Sequence, residues 1–198
     1  MLRSARALAA ALLLAGCTTA VQLPYAVSRP VAPAGPASSR VLPVVDQRNE
    51  EPNWVGAIRG GFGNPLKVLR TDRPLSELVR QAFSNALAAR GLEASPGAQR
   101  YDIRVTMHKL DADRVARLEA TADFQVDVID RAPGGVAYTD RVRVNQVQGS
   151  VIALDTGVFA STEGLRTLAV QVQNQAIDQL LDKPGFRAAA QPRGALRS

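Results

Sequence analysis

"YDIRVTMHKLDADRVARLEATADFQVDVIDRAPGGVAYTDRVRVNQV", residues 101–147, decides the fold. Tyr101, Ile103, Val105 and Met107 alternate with Asp102, Arg104, Thr106 and His108. Leu118, Ala120, Ala122, Phe124, Val126 and Val128 alternate in the same way with Arg117, Glu119, Thr121, Asp123, Gln125 and Asp127. A period of two sends successive side chains to opposite faces, so each stretch reads as a strand with one apolar and one wet face. "RAPGG" (131–135) signals a turn, after which Val136, Tyr138, Val142 and Val144 alternate with Thr139, Arg141, Arg143 and Asn145. Matching the apolar faces across that turn brings Asp123 and Asp127 near Arg143, Arg141 or Thr139. Such cross-strand pairs add from a few tenths to about 1 kcal/mol each.

On either side of this block the period becomes helical. In "TDRPLSELVRQAFSNALAARG" (71–91), Leu75, Leu78, Val79, Ala82, Phe83, Ala86 and Leu87 fall on one helical face. Thr71 or Asp72 can cap its start, Pro74 is tolerated in the first turn, and Gly91 can close it. In "STEGLRTLAVQVQNQAIDQLLDK" (161–183), Leu165, Leu168, Ala169, Val172, Ala176, Ile177 and Leu180 form the buried face. Ser161 or Thr162 opens that helix and Pro184 stops it. Its other face, Arg166, Gln171, Gln173, Gln175, Asp178 and Gln179, reads as solvent-facing. With an early strand at "RVLPVVD" (40–46), the reading is α+β: a single antiparallel or mixed sheet of about four main strands packed against two helices.

Residues 47–70, "QRNEEPNWVGAIRGGFGNPLKVLR", are too long for a featureless connection. The segment is a functional loop or holds a short hairpin, with "WVGAI" and "LKVL" paired around "RGGFGNP". The element order is then strand, hairpin, helix, three strands, helix. The glycines fit neither phosphate-loop pattern. Trp54, Arg59, Phe62 and Lys67 form a candidate partner-binding loop, since aromatics with cations are enriched at binding hot spots. The competing reading folds Trp54 back as a lid over the sheet end.

The N-terminus supplies an address. Arg3 and Arg6 precede an unbroken Ala/Leu stretch from Ala7 to Ala15, a run too short to span a bilayer permanently. "LLLAGCTT" (12–19) then contains Cys17, the only cysteine, and Leu14-Ala15-Gly16-Cys17 resembles the lipobox of bacterial lipoproteins. That resemblance implies a signal peptide over 1–16 and a diacylglyceryl group with further acylation on Cys17, hence anchoring in a membrane by several chains. Thr18, in place of an acidic retention residue, points to the periplasmic face of the outer membrane. Residues 17–39 read as the lipidated Cys and a Pro/Ala-rich linker; its 22 residues from Thr18 to Ser39 reach at most roughly 70 Å. Residues 40–183 are a single domain, and 184–198 a disordered basic tail.

The net charge of +6 comes from the ends of the chain. Setting aside Arg3, Arg6, Arg29, Lys183, Arg187, Arg193 and Arg197 leaves 17 of the 24 basic residues against all 18 acidic ones. The body is close to neutral, which argues against a nucleic-acid partner. One cysteine allows no internal disulfide.

The strand end "VVDQR" with Asp46-x-Arg48, the "WVGAIRGGFGNPLK" segment, and the helix ending Arg90-Gly91-Leu92, behind a lipobox and linker, resemble the YajG-like family of bacterial lipoproteins. The resemblance spans roughly residues 12–150. It implies an envelope address and a fold, and brings no activity or catalytic residues.

Catalytic chemistry finds little support. His108 is the single histidine, expected on an exposed strand face; with Asp111 and Asp113 it makes a poor metal constellation. No Gly-x-Ser-x-Gly elbow is present, and lipidation consumes Cys17. The expectation is no enzyme, no cofactor and no metal. Two functions remain: a non-catalytic binding or assembly module of the envelope, or a lipid- or glycan-binding accessory protein of an envelope transport system. A deep pocket lined by Val, Leu and Phe would favour the second, and a filled core with an exposed aromatic loop the first.

Overall fold

The computed structural model describes residues 18–27, 36–148 and 162–191. The expected signal peptide, Cys17 and Ser161 lie outside the described residues. Strands β1 (Thr18–Val21), β2 (Ser39–Val41), β3 (Val45–Asp46), β4 (Trp54–Arg59) and β5 (Pro65–Thr71) precede helix α1 (Leu75–Ala89). Strands β6 (Tyr101–Arg114), β7 (Leu118–Asp130) and β8 (Gly135–Gln148) follow, then helices α2 (Thr162–Leu181) and α3 (Pro184–Ala189). The strands form one mixed sheet in the order β1-β5-β4-β6-β7-β8, with β2 and β3 paired to the first half of β6.

The α+β class stands, but among the described residues the sheet has eight strands where about four main ones and a hairpin were expected. Residues 47–70 do contain the hairpin: β4 and β5 pair antiparallel. The strand expected at 40–46 is two short ones, β2 and β3, both parallel to β6. Pro43, which lacks an N–H for the ladder, lies between them.

The long meander matches the alternation, with one phase slip. Met107 pairs with Phe124 but Lys109 pairs with Asp123, so His108 is the extra residue of a β-bulge. The bulge explains why the buried positions run 101, 103, 105, 107 and then 110, 112. Strand β7 keeps an unbroken period of two opposite it. Apolar side chains of β6, β7 and β8 meet α1 and α2, with Phe83 of α1 edge-on to Phe124 at 5.6 Å between ring centroids.

Helix α1 buries the seven residues expected of it. Neither Thr71 nor Asp72 caps it. The Thr71 hydroxyl donates to Arg73 O at 2.6 Å, while the first helical N–H, of Leu75, donates to Pro52 O in the preceding loop at 2.8 Å. Gly91 adopts φ 69°, the left-handed geometry that closes a helix without a Cβ clash.

Both chain ends depart from expectation. Residues 18–27 were assigned to the linker, yet β1 pairs in parallel with β5, and Val21 and Leu23 enter the core. This segment covers part of the α2 face expected to meet solvent, so Gln173 and Asp178 are buried. Residues 184–191 were assigned to a disordered tail. Instead α3 packs Phe186 edge-on to Tyr138, and Phe186 and Ala190 are buried.

Candidate functional site

The four residues of the expected partner-binding loop do not form one loop. Trp54 opens β4 and is half-buried at the base of the hairpin, paired with Arg70, whose guanidinium lies 5.4 Å from the indole centroid. Arg70 also pairs with Glu51 and with Asn53 Oδ1 at 3.0 Å, and the Arg70 ion pair lowers the Glu51 carboxyl pKa. Trp54 is thus part of the hairpin's footing. Arg59 ends β4, bonded to Asp113 at 3.4 Å; Lys67 lies in β5; Phe62 stands at the tip, 102% exposed.

Asp46 and Arg48, prominent in the family resemblance, form an internal clamp. The Arg48 guanidinium contacts Asp46 at 2.8 and 3.0 Å and donates to Trp54 O at 2.8 Å. With its side chain 1% exposed, it ties β3 to the start of β4.

The polar sheet face is drier than its sequence suggests. Asp123 lies on central β7 and is 2% exposed. Arg141 grips it through two bonds, 2.7 and 2.8 Å, and Arg143 approaches to 4.0 Å. The Arg141 bonds lower the Asp123 pKa, outweighing the burial that would raise it. Asp127 accepts from the Thr139 hydroxyl at 2.9 Å. These pairings match the expected hairpin, but long arginine side chains roof the carboxylates over.

His108, expected to be exposed, is half-buried at the bulge, its Nε2 without a hydrogen-bond partner among the described residues. Asp111 pairs with Lys109 at 3.1 Å, and burial raises its pKa. Asp113 accepts from the Ala57 N–H at 2.8 Å. Each carboxylate thus has a structural partner. Among the described residues no group of three His, Cys, Asp or Glu side chains is placed to hold a metal ion.

The richest polar cluster joins the N-terminal segment to both main helices. Arg90, at the end of α1, is fully buried. It donates to Asp178 at 2.9 Å, Asp182 at 3.1 Å, Ala86 O at 2.9 Å and the Tyr25 hydroxyl at 3.1 Å. Tyr25 donates in turn to Asp178 at 2.6 Å. Burial works against the Arg90 charge, but bonds to Tyr25, Asp178 and Asp182 outweigh it and raise the pKa. For Tyr25, burial and the bond to Asp178 raise the pKa.

Beside this cluster is an open cleft of about 710 Å³ between Ala26 and Val27, α2 and strand β8. Its α2 wall presents Gln171, Asn174, Gln175, Asp178 and Gln179, and β8 contributes Gln146. Gln146 donates to Gln175 at 2.7 Å, whereas the buried Asn174 Oδ1 has no hydrogen-bond partner among the described residues. Sequence reading missed this cleft because the amides looked like an ordinary wet helix face. Their concentration on one face was the available signal.

No family model matches the sequence, and no curated protein matches it. Solved structures do resemble the fold. A DUF330 protein of Xanthomonas campestris aligns with a TM-score of 0.58 at 12% identity, covering 86% of this chain and 94% of that one. An uncharacterised protein aligns at 0.53 and 10% identity, covering 84% and 97%. Lipoprotein GNA1162 of Neisseria meningitidis aligns more loosely, at 0.33 and 10% identity over 75% and 100%. At these identities the first two likenesses concern the fold alone.

Proposed function

We propose that this chain is a non-catalytic binding module of the bacterial envelope, anchored at the periplasmic face of the outer membrane through acylated Cys17. Support for the address comes from the lipobox, Thr18 and the YajG-like resemblance. Among the described residues no helix is long and apolar enough to cross a membrane. Support for binding comes chiefly from one observation: the cleft's wall of exposed amides, Gln171, Gln175 and Gln179, beside a buried Asn174 Oδ1 that has no hydrogen-bond partner among the described residues. Primary amides both donate and accept hydrogen bonds, as peptide groups do. An extended segment of an envelope protein fits that chemistry, with β8 as an edge strand beside it. The core between helices and sheet is filled by large apolar side chains, which weighs against a buried lipid site there.

The test is photocrosslinking in intact cells from position 175. Capture of a defined envelope protein, abolished by Asn174→Leu in a variant that remains folded, supports the reading. Crosslinks confined to this chain's own residues 28–35 or 149–161 would overturn it.

A further inference from the structure

The topology collects several exposed features at the end of the sheet from which the chain's N-terminus emerges. Strand β1 runs parallel to β5 with Thr18 beside Val68, so the described chain begins at the end of the sheet where β5 begins. Strand β5 begins at the β4–β5 hairpin, whose tip therefore projects past Thr18 in the same direction. At about 3.3 Å per residue, three residues beyond Lys67 carry the tip roughly 10 Å further. Strand β4 is also parallel to β6, with Ile58 beside Arg114. The β6–β7 turn, 115–117, consequently projects from the same end.

Both projections have the same composition. The hairpin "RGGFGNPLK" (59–67) and the turn "RVAR" (114–117) each place apolar residues between two cations, with no acid in either. Four of the seven exposed large apolar side chains among the described residues stand here: Phe62, Leu66, Val115 and Val147. The acids at this end have partners: Asp113 with Arg59 and the Ala57 N–H, Glu119 with Asn145, and Glu163, at the start of α2 beside Leu118, with Arg166. Apolar tips that enter the acyl boundary, with the exposed Arg117 two residues from Val115 to meet anionic headgroups, form the signature of an interfacial anchor.

We infer that this end of the sheet is a membrane-docking face, with Phe62 and Val115 seated in the lipid interface beside the Cys17 acyl chains. The inference rests on the lipidation in the proposed function, which places Cys17 at the bilayer surface. A penetration of roughly 10 Å agrees with the depth reached by interfacial segments. The domain then stands upright on the membrane, with its β7–β8 turn farthest from it. The amide-lined cleft along α2 stays open to the periplasm.

The experiment uses the full chain, expressed in bacteria, recovered from membranes and reconstituted into phosphatidylethanolamine–phosphatidylglycerol vesicles with brominated acyl chains. Three variants each add one indole: Phe62→Trp, Val115→Trp and, at the opposite end, Val136→Trp. Trp54 emission of the parent is subtracted. Quenching at positions 62 and 115 at least about twofold above that at 136 is expected for docking at interfacial depth. Equal quenching at all three, or solvent-like emission at 62 and 115, would overturn the inference. Mass spectrometry of Cys17 on the same samples judges the lipidation separately. Absent acyl groups would defeat the anchor reading, while the quenching pattern would still decide the docking face.

Discussion

The Tyr25 hydroxyl donates to Asp178 Oδ1 at 2.6 Å, across 153 positions of sequence. It fastens a segment that composition assigns to a loose linker onto the last turns of α2. The 22 residues from Thr18 to Ser39 are therefore not a free linker throughout: β1 begins at Thr18.

Loss of that bond should loosen the N-terminal segment without unfolding the sheet. Tyr25→Phe is expected to cost about 1–3 kcal/mol, as for hydrogen bonds to charged groups. Arg90→Met takes its cation from the buried Asp178, while Asp182 keeps Arg187 at 3.1 Å, and should cost about 3–5 kcal/mol. Urea midpoints measure both. A Tyr25→Phe midpoint equal to the parent's would mean that the hydroxyl bond contributes nothing to docking.

Asp123 predicts a pH dependence with a definite sign. Its folded-state pKa is lowered by Arg141, so its stabilisation is present above the unfolded carboxylate pKa and is lost as pH falls through the folded value. Asp123→Asn should cost about 1–2 kcal/mol at neutral pH, discounted because Arg141 is half exposed. Unfolding curves of parent and variant should converge as the solution is acidified below the usual carboxylate range. A gap that persists unchanged would exclude ion pairing as the cause.

Gly56 marks a close backbone approach between β4 and β6. A Cβ there would stand 1.7 Å from Ala112 O, so neither strand can accommodate it without parting. Gly56→Ala should cost more than about 3 kcal/mol. Gly61, at the open hairpin tip with nothing within 4 Å, should accept alanine within about 0.5 kcal/mol. Thermal unfolding of the pair checks the contrast, and equal shifts would contradict the strand contact.

Helix α3 makes the region after Pro184 part of the fold. Phe186→Ala removes a fully buried ring packed on Tyr138 and should cost about 3–5 kcal/mol. Ending the chain at Lys183 should destabilise at least as much, as read from denaturant unfolding. A truncated chain as stable as the parent would restore the view of a dispensable tail.

Where burial followed simple periodicity, the sequence was readable. The apolar faces of α1 and of β7, and the Asp127–Thr139 pairing, follow directly from spacing. The bulge at His108 was also encoded, as the phase change between Met107 and Leu110, but a single-residue slip is easily taken for noise. The candidate site was harder to read. Trp54 and Phe62 are eight residues apart, yet one is footing and the other tip, because β4 and β5 carry them to opposite ends of a hairpin. The cleft on α2 left only the concentration of amides on one face as a signal, and identical glutamines serve a wet face or a groove according to what packs beside them.

The sequence by itself determined the α+β class, the two principal helices, the three-stranded meander and the expectation of a lipid anchor at Cys17. Each rests on local pattern: periods of 2 and 3.6, turn residues and a short motif. Only the tertiary structure decided that residues 18–27 and 184–191 belong to the folded body. It also decided that Arg90 is a buried hub and that the hairpin and β6–β7 turn share the end of the sheet at which β1 begins. Those outcomes depend on pairing between residues distant in the chain, where strand direction and register, rather than composition, determine which side chains become neighbours.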